Sequence, residues 1–159
     1  MLTGTITDHE DDSTITFERR LPFPVQDVWA ALTEQDQLNQ WFSAGTIEHR
    51  QDGVIELAGP KNVPVTGTVL VWDPPRVLEL DWRQHNVGQT TVRYELTPDG
   101  DHTVLTLTHS GLRHNDARGY TPGQHASLDR LTAFLSGAEI PGWEERYREV
   151  QHLYPTMVA

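Results

Sequence analysis

The sequence predicts an α+β fold in which one antiparallel sheet, wet on its outer side, is covered by a long helix near the end of the chain. Three observations carry that prediction. Between residues 46 and 110 apolar and polar residues alternate between turn signals, so that Leu78, Leu80 and Trp82, then Val92, Tyr94 and Leu96, then Leu105, Leu107 and His109 share inward faces. Residues 121–137 switch to a helical period, with Leu128, Leu131 and Leu135 on one stripe and Phe134 beside them. Upstream, Pro22-Phe23-Pro24 ends an opening strand and begins two short amphipathic stretches.

In chain order, residues 3–8 and 14–21 flank the acidic turn His9-Glu10-Asp11-Asp12 and form a hairpin with Ile15, Phe17, Arg19 and Leu21 on one face. The pair Arg19-Arg20 is expected to be solvated. A helix from Pro24 places Val25, Val28, Trp29 and Leu32 at i, i+3, i+4 and i+7. Thr33 with Asp36 suits the cap of a second short helix that presents Leu38, Trp41 and Phe42. Ile47 and His49 share the next face, and Asp52-Gly53 turns the chain toward Ile55 and Leu57. Further turns fall at Gly59-Pro60-Lys61-Asn62, Pro74-Pro75, Asn86-Val87-Gly88 and Pro98-Asp99-Gly100-Asp101. The direction of Trp72 stays open, because it shares parity with Leu70 while Val69 and Val71 oppose it.

The long helix has its own start and stop signals. Thr121 suits the cap, Pro122 the first turn, Gln124 the reciprocal position of a capping box and Gly137 the left-handed exit. His125 lies one turn before Leu128, near the edge of the apolar stripe. Beyond Gly137, residues 138–159 form a helical extension in which Trp143, Tyr147, Val150 and Tyr154 recur at i, i+4, i+7 and i+11. That stripe needs a surface. The surface is either the same domain, where the extension would close a cavity, or a second copy, since aromatic anchors concentrate at interface hot spots.

Composition narrows the classes of function. A chain of 159 residues fits one domain, here residues 1–137 with the extension packed on it. The 23 Asp and Glu outnumber the 12 Lys and Arg for a net charge of −11, which repels nucleic acid and anionic membrane surfaces. No cysteine is present, so disulfides, thiol nucleophiles and thiolate metal sites are excluded. The start has neither a basic nor an apolar leader region, and no apolar run approaches the roughly 20 residues of a membrane span. A cytoplasmic protein without cofactor is the expectation.

The run Val28-Trp29-Ala30-Ala31-Leu32-Thr33, followed by Leu38 and Trp41-Phe42, resembles the START-like superfamily, also called SRPBCC. Residues 67–78 and 103–112 resemble its branch related to the C-terminal domain of the ATPase activator of the 90-kDa heat-shock chaperone. The resemblance runs from about Thr14 to Gly137. It implies a helix-grip fold, with an antiparallel sheet curved around the long C-terminal helix and a hydrophobic cavity between them. It also implies three classes of activity: binding of a hydrophobic or amphipathic ligand, co-chaperone contact, and polyketide cyclase-like or hydrolase-like catalysis. One position departs from the branch, which usually carries Trp directly after the glycine of the long helix; this chain has Gln124.

Trp41, Phe42, Trp82, Tyr94, Leu107, His109, His125 and Leu128 are the expected ligand-contacting residues, with the aromatics supplying an apolar wall and the histidines orientation. His109 follows the inward parity of Leu105 and Leu107 and is either a ligand contact, a general base or a satisfied strand-end histidine. Tyr94 can donate to a carbonyl or enolate, or fill the core with its hydroxyl at the rim. His109, His114, Asp116 and His125 lie close in sequence, but no HExxH, HxH or paired spacing joins them, so no metal is expected. There is no G-x-S-x-G elbow and no phosphate-cradling glycine loop. Catalytic residues are therefore not assigned.

Overall fold

Alternating residues build the opening hairpin, β1 (Thr5–Asp8) and β2 (Ser13–Leu21), and Pro22 and Pro24 stop it. Two helices follow, α1 (Val25–Thr33) and α2 (Gln35–Trp41). The strands β3 (Gly45–Ile47), β4 (Val54–Leu57), β5 (Val65–Asp73), β6 (Val77–Gln84), β7 (Gly88–Asp99) and β8 (His102–Leu112) come next. Helices α3 (His114–Ser136) and α4 (Trp143–Val150) follow the sheet. This computed structural model describes residues 2–157.

All eight strands form one curved antiparallel sheet in the order β1-β2-β8-β7-β6-β5-β4-β3. The opening hairpin pairs with the last strand, Phe17 opposite Leu107, so α1 and α2 must carry the chain from one side of the sheet to its other edge. Helix α3 lies in the concave face. Ile15, Phe17, Leu78, Leu80, Leu105, Leu107, Leu128 and Leu131 are all at least 97 % buried between sheet and helix. Each such side chain contributes about 1.5–3 kcal/mol of apolar burial. Trp41 anchors α2 in this core, with its Nε1 donating to the Ala31 carbonyl at 2.7 Å.

Four sequence expectations change. The long helix begins at His114, seven residues before Thr121, and carries Pro122 in its interior. The hydroxyl of Thr121 donates to the Ala117 carbonyl at 2.6 Å, in the turn where Pro122 removes a backbone donor. Thr33 does not cap α2; its hydroxyl donates back to the Trp29 carbonyl at 2.8 Å, and Glu34 takes the cap position. Trp72, whose direction the sequence leaves open, turns inward, where a register shift between Val69 and Val71 sets it opposite Leu78 and its ring meets Trp29 at 5.2 Å. His49 lies beyond β3 at the surface and stacks on that ring at 5.0 Å.

The fourth change is Arg19. Arg20 is exposed, but Arg19 is 96 % buried. Its Nη1 donates to Asp129 Oδ1 of α3 at 2.9 Å, and its Nε and Nη2 reach the Leu2 carbonyl. Arg146 of α4 donates to the other carboxylate oxygen at 2.7 Å, where His125 Nε2 also lies at 3.3 Å. Burial alone raises the Asp129 pKa. Hydrogen bonds from His125 and Arg146, with the charge of Arg19, outweigh that and hold the carboxyl well below the usual range.

The C-terminal extension packs on α3 of its own chain. Trp143 Nε1 donates to the Gly123 carbonyl at 3.1 Å and to Ser127 Oγ at 3.2 Å, and the Tyr147 hydroxyl donates to the Gly119 carbonyl at 2.9 Å. Val150 and Tyr154 are buried. Glycine at 123 is required by this approach, since a β-carbon there would stand 2.8 Å from the Trp143 ring. The whole Trp143, Tyr147, Val150 and Tyr154 stripe is thus engaged within the chain.

Candidate functional site

Two spaces separate along the helix-grip core, and they differ in size. At the base, Leu32, Leu38, Trp41, Phe42, Leu78, Leu80 and Tyr94 surround a void of about 10 Å³, no more than the space of a single water. Toward the N-terminal half of α3 lies a cavity of about 300 Å³, the lower end of the range for ligand pockets. Its apolar wall comes from Phe42, Val63, Trp82, Val87, Tyr120 and Trp143. Its polar groups come from Gln84, His85, Asp116 and Gln124, with Lys61 at the 60s loop and Met157 from the C-terminal segment.

Local structure places each wall residue. Trp82 and Gln84 end β6 on the hairpin that turns at Asn86-Val87-Gly88, with Asn86 and Gly88 both at positive φ. Tyr120 and Gln124 stand one turn apart on α3 and face that hairpin, while Gly119 and Gly123 leave room for the extension above. The Tyr120 hydroxyl donates to Gln84 Oε1. Burial, then the charge of Asp116, pushes the Tyr120 pKa up to about 12, and the nearby Trp82 indole only partly offsets this. That indole N–H makes no hydrogen bond of normal geometry, and Trp82 is 92 % buried.

Behind the cavity wall runs a buried hydrogen-bond chain. Thr90 Oγ1 donates to the Trp82 carbonyl at 2.9 Å and lies 2.7 Å from His109 Nε2. His109 Nδ1 is 2.6 Å from Gln124 Nε2. Burial lowers the His109 pKa to about 3, so the ring is neutral at physiological pH. Both of its nitrogens are engaged, which leaves none to take a proton from a bound molecule.

The structure divides the eight expected ligand residues. Phe42 and Trp82 line the cavity directly. His109 stands one layer behind, reaching the wall through Gln124. Trp41 and Tyr94 border the small void instead, and burial raises the Tyr94 pKa. Leu107 and Leu128 are core residues. His125 lies elsewhere: its ring meets Phe17 edge-on at 6.1 Å, and its Nδ1 is 2.7 Å from the Tyr154 hydroxyl. It does not approach His109 across a common space. Among the described residues, no group of three or more His, Asp or Glu side chains is placed to hold a metal ion.

Sequence reasoning missed Tyr120, Gln84, His85 and Val87. Tyr120 fell just outside the helix as read from the Thr121 capping signals, and the hairpin turn was recognised without any sign that it overhangs a cavity.

The comparisons agree with this architecture. Residues 22–136 match the family described as Activator of Hsp90 ATPase homolog 1-like protein. No curated protein matches the chain. Among solved structures, CalU16 from Micromonospora echinospora is similar at 25 % identity with a TM-score of 0.78, over 96 % of this chain and 92 % of that one. A protein encoded by gene BPP1335 of Bordetella parapertussis is 27 % identical with a TM-score of 0.74, over 92 % and 85 % of the two chains. EF2215 of Enterococcus faecalis, a conserved protein of unknown function, shares the fold at 19 % identity and a TM-score of 0.75, over 94 % and 89 %. With a helix-grip architecture and a family match across most of its length, the chain belongs to the Activator of Hsp90 ATPase homolog 1-like branch of the SRPBCC superfamily.

Proposed function

We propose that this protein binds a small, flat, hydrophobic or amphipathic molecule in the cavity between the β6–β7 hairpin, α3 and the C-terminal extension. One observation carries the reading: the core of the grip is filled to a void of about 10 Å³, yet about 300 Å³ stays open at its mouth behind an aromatic wall. Phe42, Trp82, Tyr120 and Trp143 line that space with aromatic carbon, which suits a planar apolar body. Catalysis has less support, because the neutral His109 has both nitrogens committed to Thr90 and Gln124.

Native mass spectrometry of gently purified protein, beside its denatured mass, tests the reading. A noncovalently bound small molecule, or uptake of aromatic hydrophobes from a panel, is the expected result. A bare protein that takes up none of the panel overturns it and turns attention to the outer surface and a chaperone partner, the activity named in the family's description.

A further inference from the structure

The hydrogen-bond chain behind the cavity fixes which atom of Gln124 remains unpaired. Its direction is set at the far end, where the Trp82 carbonyl can only accept. Thr90 spends its one proton there, at 2.9 Å, so Thr90 Oγ1 is the acceptor for His109 Nε2 at 2.7 Å. The imidazole proton is therefore on Nε2 and a lone pair is on Nδ1. The Gln124 atom 2.6 Å from that lone pair must be the amide nitrogen. Reversing the amide would oppose two acceptors, or would require the histidine proton to move to Nδ1 and Thr90 to abandon the Trp82 carbonyl.

Gln124 Oε1 is thus turned away from His109. It is buried and has no hydrogen-bond partner among the described residues. On the same wall the buried Trp82 indole Nε1 makes no hydrogen bond of normal geometry, with the Tyr120 hydroxyl as its nearby acceptor. An unpaired acceptor at an apolar cavity matches a hydroxyl, which gives a proton without bringing a charge, better than an ammonium, whose charge is costly to bury, or a ketone or ether, which only receives.

Resting on the ligand-binding reading above, we propose that Gln124 Oε1 is a specificity-determining acceptor and that the cavity selects flat apolar molecules carrying a hydroxyl, such as phenols, over their ethers and parent hydrocarbons. The selection comes from the buried setting. A ligand without a donor leaves a desolvated amide oxygen unpaired, whereas a hydroxyl satisfies it where no water competes.

Calorimetric titration with 2-naphthol, 2-methoxynaphthalene and naphthalene tests this. In the wild-type protein 2-naphthol should bind about tenfold tighter than either analogue, the size of one well-made hydrogen bond. Gln124→Met should weaken 2-naphthol alone and bring the three within about twofold. Thr90→Val frees the histidine tautomer and lets the amide reverse, so it should reduce the preference without touching the cavity wall. Equal binding of all three probes by the wild type overturns donor selection and leaves the binding reading standing. A preference that survives in Gln124→Met overturns the assignment to that residue. If no probe binds, both readings fall.

Discussion

The base and the mouth of the grip are built from the same kind of residue and end up in opposite states. At the base, Trp41 and Tyr94 meet leucines from α1, α2 and β6 and close the space to about 10 Å³. At the mouth, Phe42, Trp82, Tyr120 and Trp143 stand around about 300 Å³. Aromatic content does not decide between core and pocket; the backbone around it does. The base is gripped by strand and helix on every side. The mouth is bounded by a hairpin tip, a loop in the 60s and an extension resting on glycines of α3.

The largest effect that would break this contrast is at the base. Trp41→Ala should cost about 3–5 kcal/mol by urea denaturation, because it opens a cavity and leaves the Ala31 carbonyl without its donor. A loss below about 1 kcal/mol would show that the base is not packed as described.

Behind the wall of the larger cavity stands His109, and acid should reveal it. Its folded pKa, about 3, lies below the unfolded value of 6.5, so as pH falls below 6.5 the unfolded chain takes up a proton that the native ring refuses. Stability should therefore fall by up to about 1.4 kcal/mol per pH unit between pH 6.5 and 3, and stay flat with respect to this group above pH 7. His109→Gln should remove that limb, and an unchanged acid slope in the variant would exclude the assignment.

The smallest effect sharpens the mouth. Gly123→Ala places a methyl 2.8 Å from the Trp143 ring, while alanine improves helix propensity, so the net stability loss should be only about 1 kcal/mol. Faster amide exchange should be confined to residues 143–154. If exchange there is unchanged, the extension does not depend on that close approach.

Much of this was legible in the sequence, for stated physical reasons. Period-two alternation assigned Leu78, Leu80, Leu105, Leu107 and His109 to the buried face, since a strand offers only two choices. The start of α3 was misread because Thr121, Pro122 and Gln124 carry all the local marks of a first turn, and local marks are silent about helix continuing behind them. Arg19 had the right parity for burial but the wrong chemistry, until Asp129, 110 positions away, supplied its partner. Trp72 could not be oriented because a register shift breaks parity and leaves no trace in composition. The cavity was the least legible feature, since it depends on how far a hairpin tip and the chain end stand from α3.

The bond from the Gly4 amide to the Tyr154 hydroxyl, 2.9 Å long, spans 150 positions and makes the chain nearly a ring. The Tyr154 hydroxyl then continues to His125, 2.7 Å away, so both ends of this span are fastened to the middle of the long helix. For protein engineering this geometry favours rewiring. A short linker could join the two ends, and new termini could be opened at the Gly100 turn, far along the chain from the Gln124 wall, without cutting any strand or helix that forms the cavity.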